Sequence, residues 1–96
     1  MDREERLEHW RQLDSMFRQL LDDASFELPT SHLEFVVDLV DNNEFGIAFE
    51  SMLDSLREEG IAVSAKDLDG IEALGKKMKF DDSKWEGITI KPESVD

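Results

Sequence analysis

The chain has 96 residues, 24 of them acidic and 11 basic, for a net charge of −13, with 40% hydrophobic residues and no cysteine. That length predicts one domain around a single core, and the missing cysteine excludes a disulfide framework and thiolate metal sites. The acidic balance disfavours nucleic acid and anionic membranes as partners and favours encounter with basic ones.

A first helix is predicted from about Asp2 to Asp22. Asp2 can cap it, and Glu4 and Glu5 suit the positive end of its dipole. Leu7, Trp10, Leu13, Phe17, Leu20 and Leu21 recur at helical spacing as one apolar stripe. Ser25 to Thr30 reads as a loop that Pro29 closes. Ser31-x-x-Glu34 has the form of a capping box and opens a second helix through about Val40. Leu33, Val36, Val37 and Val40 make its buried side, with Phe35 and Leu39 flanking. The β-branched valines make a short strand the competing reading, but the cap and the helical neighbours favour the helix.

Asp41-Asn42-Asn43 is a turn from which Asn42 or Asn43 can cap the third helix, Glu44 to Glu59. There Phe45, Ala48, Phe49, Met52, Leu53 and Leu56 follow the helical repeat, and Gly60 stands where a left-handed C-terminal cap is expected. A fourth helix starts after Ser64 as N-cap, with Asp67 at its third position. Leu68, Ile71, Leu74 and Met78 face inward, and Lys76, Lys77 and Lys79 suit the negative end of its dipole. Trp85 and Ile88 are expected to fold back onto the core, with residues from about 90 to 96 as a frayed tail. Four striped helices on short loops predict an all-α, four-helix bundle-like single domain over residues 1–96. Its core is expected to hold Trp10, Phe17, Val36, Phe49, Leu53, Leu56, Ile71 and Leu74.

Little in this chain suggests catalysis, a metal or a cofactor. His9 and His32 fall on different helices, in neither case with zinc-ligand spacing, and a surface or capping role is expected for each. Asp41-x-Asn43 followed by Gly46 resembles the start of a calcium loop. Counting from Asp41, however, Phe45 and Met52 occupy the fifth and twelfth positions, where oxygen ligands are required. The five glycines are scattered, so no phosphate loop exists. The start of the chain has no apolar signal-like segment and no run approaches a membrane span, which leads to the expectation of a cytoplasmic protein.

The acids are unevenly placed. Residues 31–60 hold eight of them against Arg57 alone, net −7. Glu34, Asp38 and Asp41 on the second helix, and Glu50, Asp54 and Glu58 on the third, recur on faces turned away from the apolar stripes. Like charges four residues apart destabilise a helix by roughly 0.2–0.5 kcal/mol per pair. An ordinary solvated face mixes signs, as the first and fourth helices do, so these six residues are the predicted partner-binding surface.

At the third helix a family pattern emerges. Glu44-Phe45-Gly46-Ile47-Ala48-Phe49-Glu50-Ser51-Met52-Leu53-Asp54-Ser55-Leu56, with Phe35 to Asn43 before it and Gly60-Ile61-Ala62-Val63-Ser64 and Leu74-Gly75-Lys76-Lys77-Met78 after it, resembles the MafI family of bacterial toxin-immunity proteins. The resemblance covers about residues 31–86. Phe49 stands where the family pattern has a leucine, and Gly46 is expected to permit a close helix contact. The resemblance implies a non-enzymatic inhibitor of the C-terminal domain of an interbacterial toxin. Such a domain would be basic and often a nuclease, in particular a ribonuclease. Homo-oligomers stay open. The alternative is an acidic helical adaptor or regulatory subunit that binds a basic protein unrelated to toxins.

Overall fold

The computed structural model describes residues 2–92. The order is α1 (Arg3–Asp23), α2 (Thr30–Asp41), α3 (Phe45–Glu58) and α4 (Ala65–Lys77), followed by a 3-10 turn at Asp82–Trp85. The protein is all-α with four helices, and no strand occurs among the described residues. None of these helices is long and apolar enough to cross a membrane.

Local chemistry starts two helices as expected. The Asp2 carboxylate accepts the N–H of Glu5 at 2.8 Å. At α4 the Ser64 hydroxyl accepts the N–H of Asp67 while the Asp67 carboxylate accepts the N–H of Ser64, each at 3.0 Å, a complete capping box. Gly60 adopts φ +61° after α3, the left-handed stop its position predicts.

Two expected caps are not formed. Ser31 and Glu34 make no capping box: α2 begins two residues earlier than that box requires, at Thr30, and Pro29 is its cap without a side-chain hydrogen bond. The Pro29 carbonyl already accepts the N–H of Leu33 at 2.9 Å, so Ser31 lies inside the first turn. Neither Asn42 nor Asn43 caps α3, where Glu44 precedes the helix without a side-chain bond. Asn42 instead closes α2, its amide donating to the Asp38 carbonyl at 2.8 Å, and Asn43 turns the chain at φ +61°.

The helices pair as α2 with α3 and α1 with α4. α1 runs antiparallel to α4, since Leu20 lies over Gly70 while Ser25, further along, bonds to Asp67. Phe49 sits fully buried at the centre, stacked on Phe80 with ring centroids 5.6 Å apart and edge-on to Trp85 at 6.3 Å. Phe17, Val36, Leu53, Leu56, Ile71 and Leu74 join it at 0–1% exposure. Phe26 and Leu28 of the α1–α2 loop are buried as well.

Trp85 and Ile88 do fold back onto this core. Ile90 and Lys91 are not frayed: Val63 donates to the Thr89 carbonyl at 2.9 Å and Lys91 donates to the Val63 carbonyl at 2.7 Å, a single parallel bridge. The rest of the expected tail, 93–96, lies outside the described residues.

Trp10 departs from the expected core. It is 41% exposed and Leu7 is 39% exposed; Leu33, expected on the buried side of α2, is 38% exposed. The cause for α1 is length. α1 has 21 residues and α4 has 13, roughly 31 Å against roughly 20 Å at 1.5 Å per residue. Burial along α1 begins only at Leu13. The two or three turns before it project past the body, consistent with overall extents of 49 × 27 × 23 Å.

Gly46 also differs from expectation. A β-carbon there would meet only Phe80, at an ordinary 3.8 Å, so no close helix contact requires this glycine. Gly75 is the position that does: a β-carbon would fall 2.3 Å from Cζ3 of Trp85 and 3.0 Å from Cζ of Phe49. The indole approaches the helix this closely only because no side chain is there.

Candidate functional site

The α2–α3 hairpin carries all six predicted acids, and they divide into two groups. Glu34 and Asp38 are exposed on the outward side of α2 and Glu58 on that of α3, with no ion pair among the described residues. The other three have basic neighbours, two of which helical spacing could not reveal. Asp41 binds Arg18 of α1 at 2.7 Å, Glu50 meets Lys84 at 3.5 Å, and Asp54 meets Arg57 at 3.5 Å. The expectation of few basic neighbours is therefore corrected for Asp41 and Glu50, because tertiary packing brings Arg18 and Lys84 to the hairpin, whereas Arg57 stands three residues after Asp54 on α3 itself.

Arg18 is the firmest of these contacts. It bridges Asp41 and, four residues before it, Asp14 at 3.0 Å, and these bonds, Asp41 first, hold its proton more tightly than an ordinary guanidinium does. Asp41 thus ties the end of α2 to α1. Asp54, by contrast, keeps a side chain 67% exposed despite Arg57, whose guanidinium also donates to the Glu86 and Lys84 carbonyls.

Between α2 and α3 runs a groove of about 400 Å³. Phe35 and Val36 line it from α2, and Ser51, Asp54 and Glu58 from α3. On its floor Nδ1 of His32 lies 2.6 Å from the Ser55 hydroxyl. Ser55 is only 4% exposed, so its hydroxyl needs a partner inside the fold. His32 supplies it, which corrects the expected surface or capping role: this half-buried ring fastens α2 to α3. The His9 side chain, near the exposed end of α1, makes no hydrogen bond among the described residues.

The pattern of spacing missed the apolar centre of this face. Phe35 is 55% exposed and Ile47 53% exposed, the two most exposed large hydrophobic side chains of the described residues. Ile47 shares the outward ridge of α3 with Ser51, Asp54 and Glu58, at steps of four, three and four residues. A signal for it did exist: Ile47 is a large apolar residue out of register with Phe45, Ala48 and Phe49. Glu34, Asp38, Glu50, Asp54 and Glu58 are exposed on the same hairpin, and Asp54 and Glu58 line the groove together with Phe35. Among the described residues no cluster of three potential metal ligands occurs.

No family model, no curated protein and no solved structure matches the chain.

Proposed function

We propose that this chain is an immunity protein: it binds and neutralises the C-terminal domain of an interbacterial toxin by stoichiometric association, without a catalytic step of its own. The observation that carries the reading is the α2–α3 hairpin, where Phe35 and Ile47 are exposed alongside five exposed acids. Protein interfaces derive most of their affinity from a few apolar anchors that lose their water, and the polar rim sets orientation and encounter. An acidic rim fits a basic partner. A nuclease has a basic active site because it must hold phosphates, so an acidic face of this kind can occupy it in place of nucleic acid. The likeness of residues 31–86 to the MafI family supports the same class of partner, with a ribonuclease domain as the first choice.

The test is direct. The C-terminal domain of a toxin encoded beside this chain should co-purify with it, and titration should abolish toxin activity with a sharp one-to-one equivalence point. Inactivation of many toxin molecules by one copy would contradict stoichiometric binding. A complex only with basic proteins unrelated to toxins would favour an adaptor.

A further inference from the structure

We infer that the projecting end of α1 is a self-association surface and that its partner is a second copy of this chain, packed antiparallel about a twofold axis. Burial along α1 starts at Leu13, yet its apolar stripe continues outward through Trp10 and Leu7, which stay 41% and 39% exposed. Arg3, Leu7, Trp10 and Asp14 follow one another at steps of four, three and four residues, a single line along the helix. In order, that line reads positive, apolar, apolar, negative. Laid against its own reverse, it sets Arg3 of one copy opposite Asp14 of the other, and Leu7 of one opposite Trp10 of the other. The line is therefore complementary to itself in both charge and apolarity, as an isologous contact requires.

Other occupants fit less well. A parallel copy would place Arg3 on Arg3 and Asp14 on Asp14. A basic partner, suited to the α2–α3 face, would meet Arg3 and Arg6 beside Trp10; a uniformly acidic one would meet Asp14. Arg3 makes no ion pair among the described residues. Asp14 keeps a side chain 39% exposed even while it binds Arg18, and Arg18 is held in addition by Asp41. A contact of two or three turns per copy is smaller than a standard interface, so the dimer is weak and concentration-dependent. Its apolar centre carries the affinity, and the two exposed Arg–Asp pairs set the direction.

Sedimentation equilibrium on the whole chain reads this out. At physiological salt, which screens the mutual repulsion of two copies of net charge −13, the mean mass should rise from 11.1 kDa towards twice that value between about 10 μM and about 1 mM, the range of a weak complex. Trp10→Ser, at an exposed position, should remove the rise while the melting temperature holds. Arg3→Asp alone, or Asp14→Arg alone, should weaken the dimer by about tenfold, because each opposes like charges twice. An equimolar mixture of those two single variants should dimerise again, since each reversed charge then faces its opposite. Melting temperatures identify any variant that fails to fold, and Trp10→Ser is independent of the Arg18 contact that Asp14→Arg removes. A mass that stays at the monomer value throughout overturns the inference. So does a rise indifferent to Trp10→Ser, a mixture that stays monomeric, or growth beyond the dimer.

Discussion

The carboxylate of Asp67 accepts both the backbone N–H and the hydroxyl of Ser25, 42 residues earlier in the chain, while it closes the capping box of α4 with Ser64. Lys91 completes the cluster by donating to the Ser25 carbonyl at 3.0 Å. One 5% exposed acid thus ties together the α1–α2 loop and the start of α4, and through Ser25 the C-terminal segment joins them. Every donor that faces Asp67 favours its charged form. Burial pushes the carboxyl up, but the bonds from Ser25 and Ser64 outweigh it and hold it below the usual carboxylate range.

Asp67→Asn should therefore destabilise the fold by about 1.5–3 kcal/mol at neutral pH, since it replaces a charged acceptor and turns an amide towards existing N–H groups. The pH dependence has a definite sign. A carboxyl with a lowered folded-state pKa contributes stability above its unfolded pKa and loses it as pH falls through the folded value. Thermal melts of parent and variant should differ most near pH 7 and converge in acid, as the pH falls below the ordinary carboxylate range. A gap that is constant across this range would mean that the Asp67 charge contributes nothing.

Phe49→Ala should cost about 3–5 kcal/mol, the usual range for a buried phenylalanine. Phe49 is fully buried, and its ring organises both Phe80 and Trp85. Chemical denaturation followed through Trp85 fluorescence in a Trp10→Phe background would measure the loss, and an unchanged midpoint would contradict this core.

Two helix glycines should respond oppositely to alanine. Gly75→Ala forces a methyl into the Trp85 ring and should destabilise by about 1–3 kcal/mol despite the better helix propensity of alanine. Gly46→Ala meets only open space and an ordinary contact with Phe80, so it should be neutral or stabilising by up to about 1 kcal/mol. Melting temperatures of the two variants decide this, and a harmless Gly75→Ala would mean that Trp85 does not pack on α4.

What the sequence reveals and what it hides have separate physical origins. The Ser64–Asp67 box and the Gly60 stop depend on neighbours three or four residues away, so local spacing identifies them. The stripe of α3 was equally plain, because that helix is covered along its whole length. Periodicity also shows which side of α1 is apolar, but not that α4 is too short to reach Trp10. The six acids could be read from their spacing, whereas the basic partners of Asp41 and Glu50 come from α1 and the 3-10 turn, far away in sequence. Phe35 reads as a flanking residue of α2 and Ile47 falls outside the apolar repeat of α3, since spacing alone does not say which side of a short hairpin has a neighbour. The box expected at Ser31 failed because Pro29 supplies a carbonyl to the helix two residues sooner.

The acidic rim and the apolar centre of the α2–α3 face should affect binding in different ways. Asp38→Asn combined with Asp54→Asn keeps shape and removes two charges. It should fold at least as well as the parent, because it relieves the like-charge pairs that Asp38 forms with Glu34 and Asp54 with Glu50 and Glu58. Only the exposed Arg57 contact is lost in return. If the face meets a basic domain, these charges act mainly at a distance, with a reach of about 8 Å at physiological ionic strength. Surface plasmon resonance against that domain should then show slower association and a shallower dependence on salt, with dissociation changed little. Phe35→Ala should do the reverse: it removes an apolar anchor, so dissociation should quicken, by about 2 kcal/mol of affinity or more if Phe35 is a central contact. Undiminished affinity and an unchanged salt slope in the double variant, with Phe35→Ala equally silent, would show that the acids are an ordinary solvated surface and that the interface lies off this hairpin.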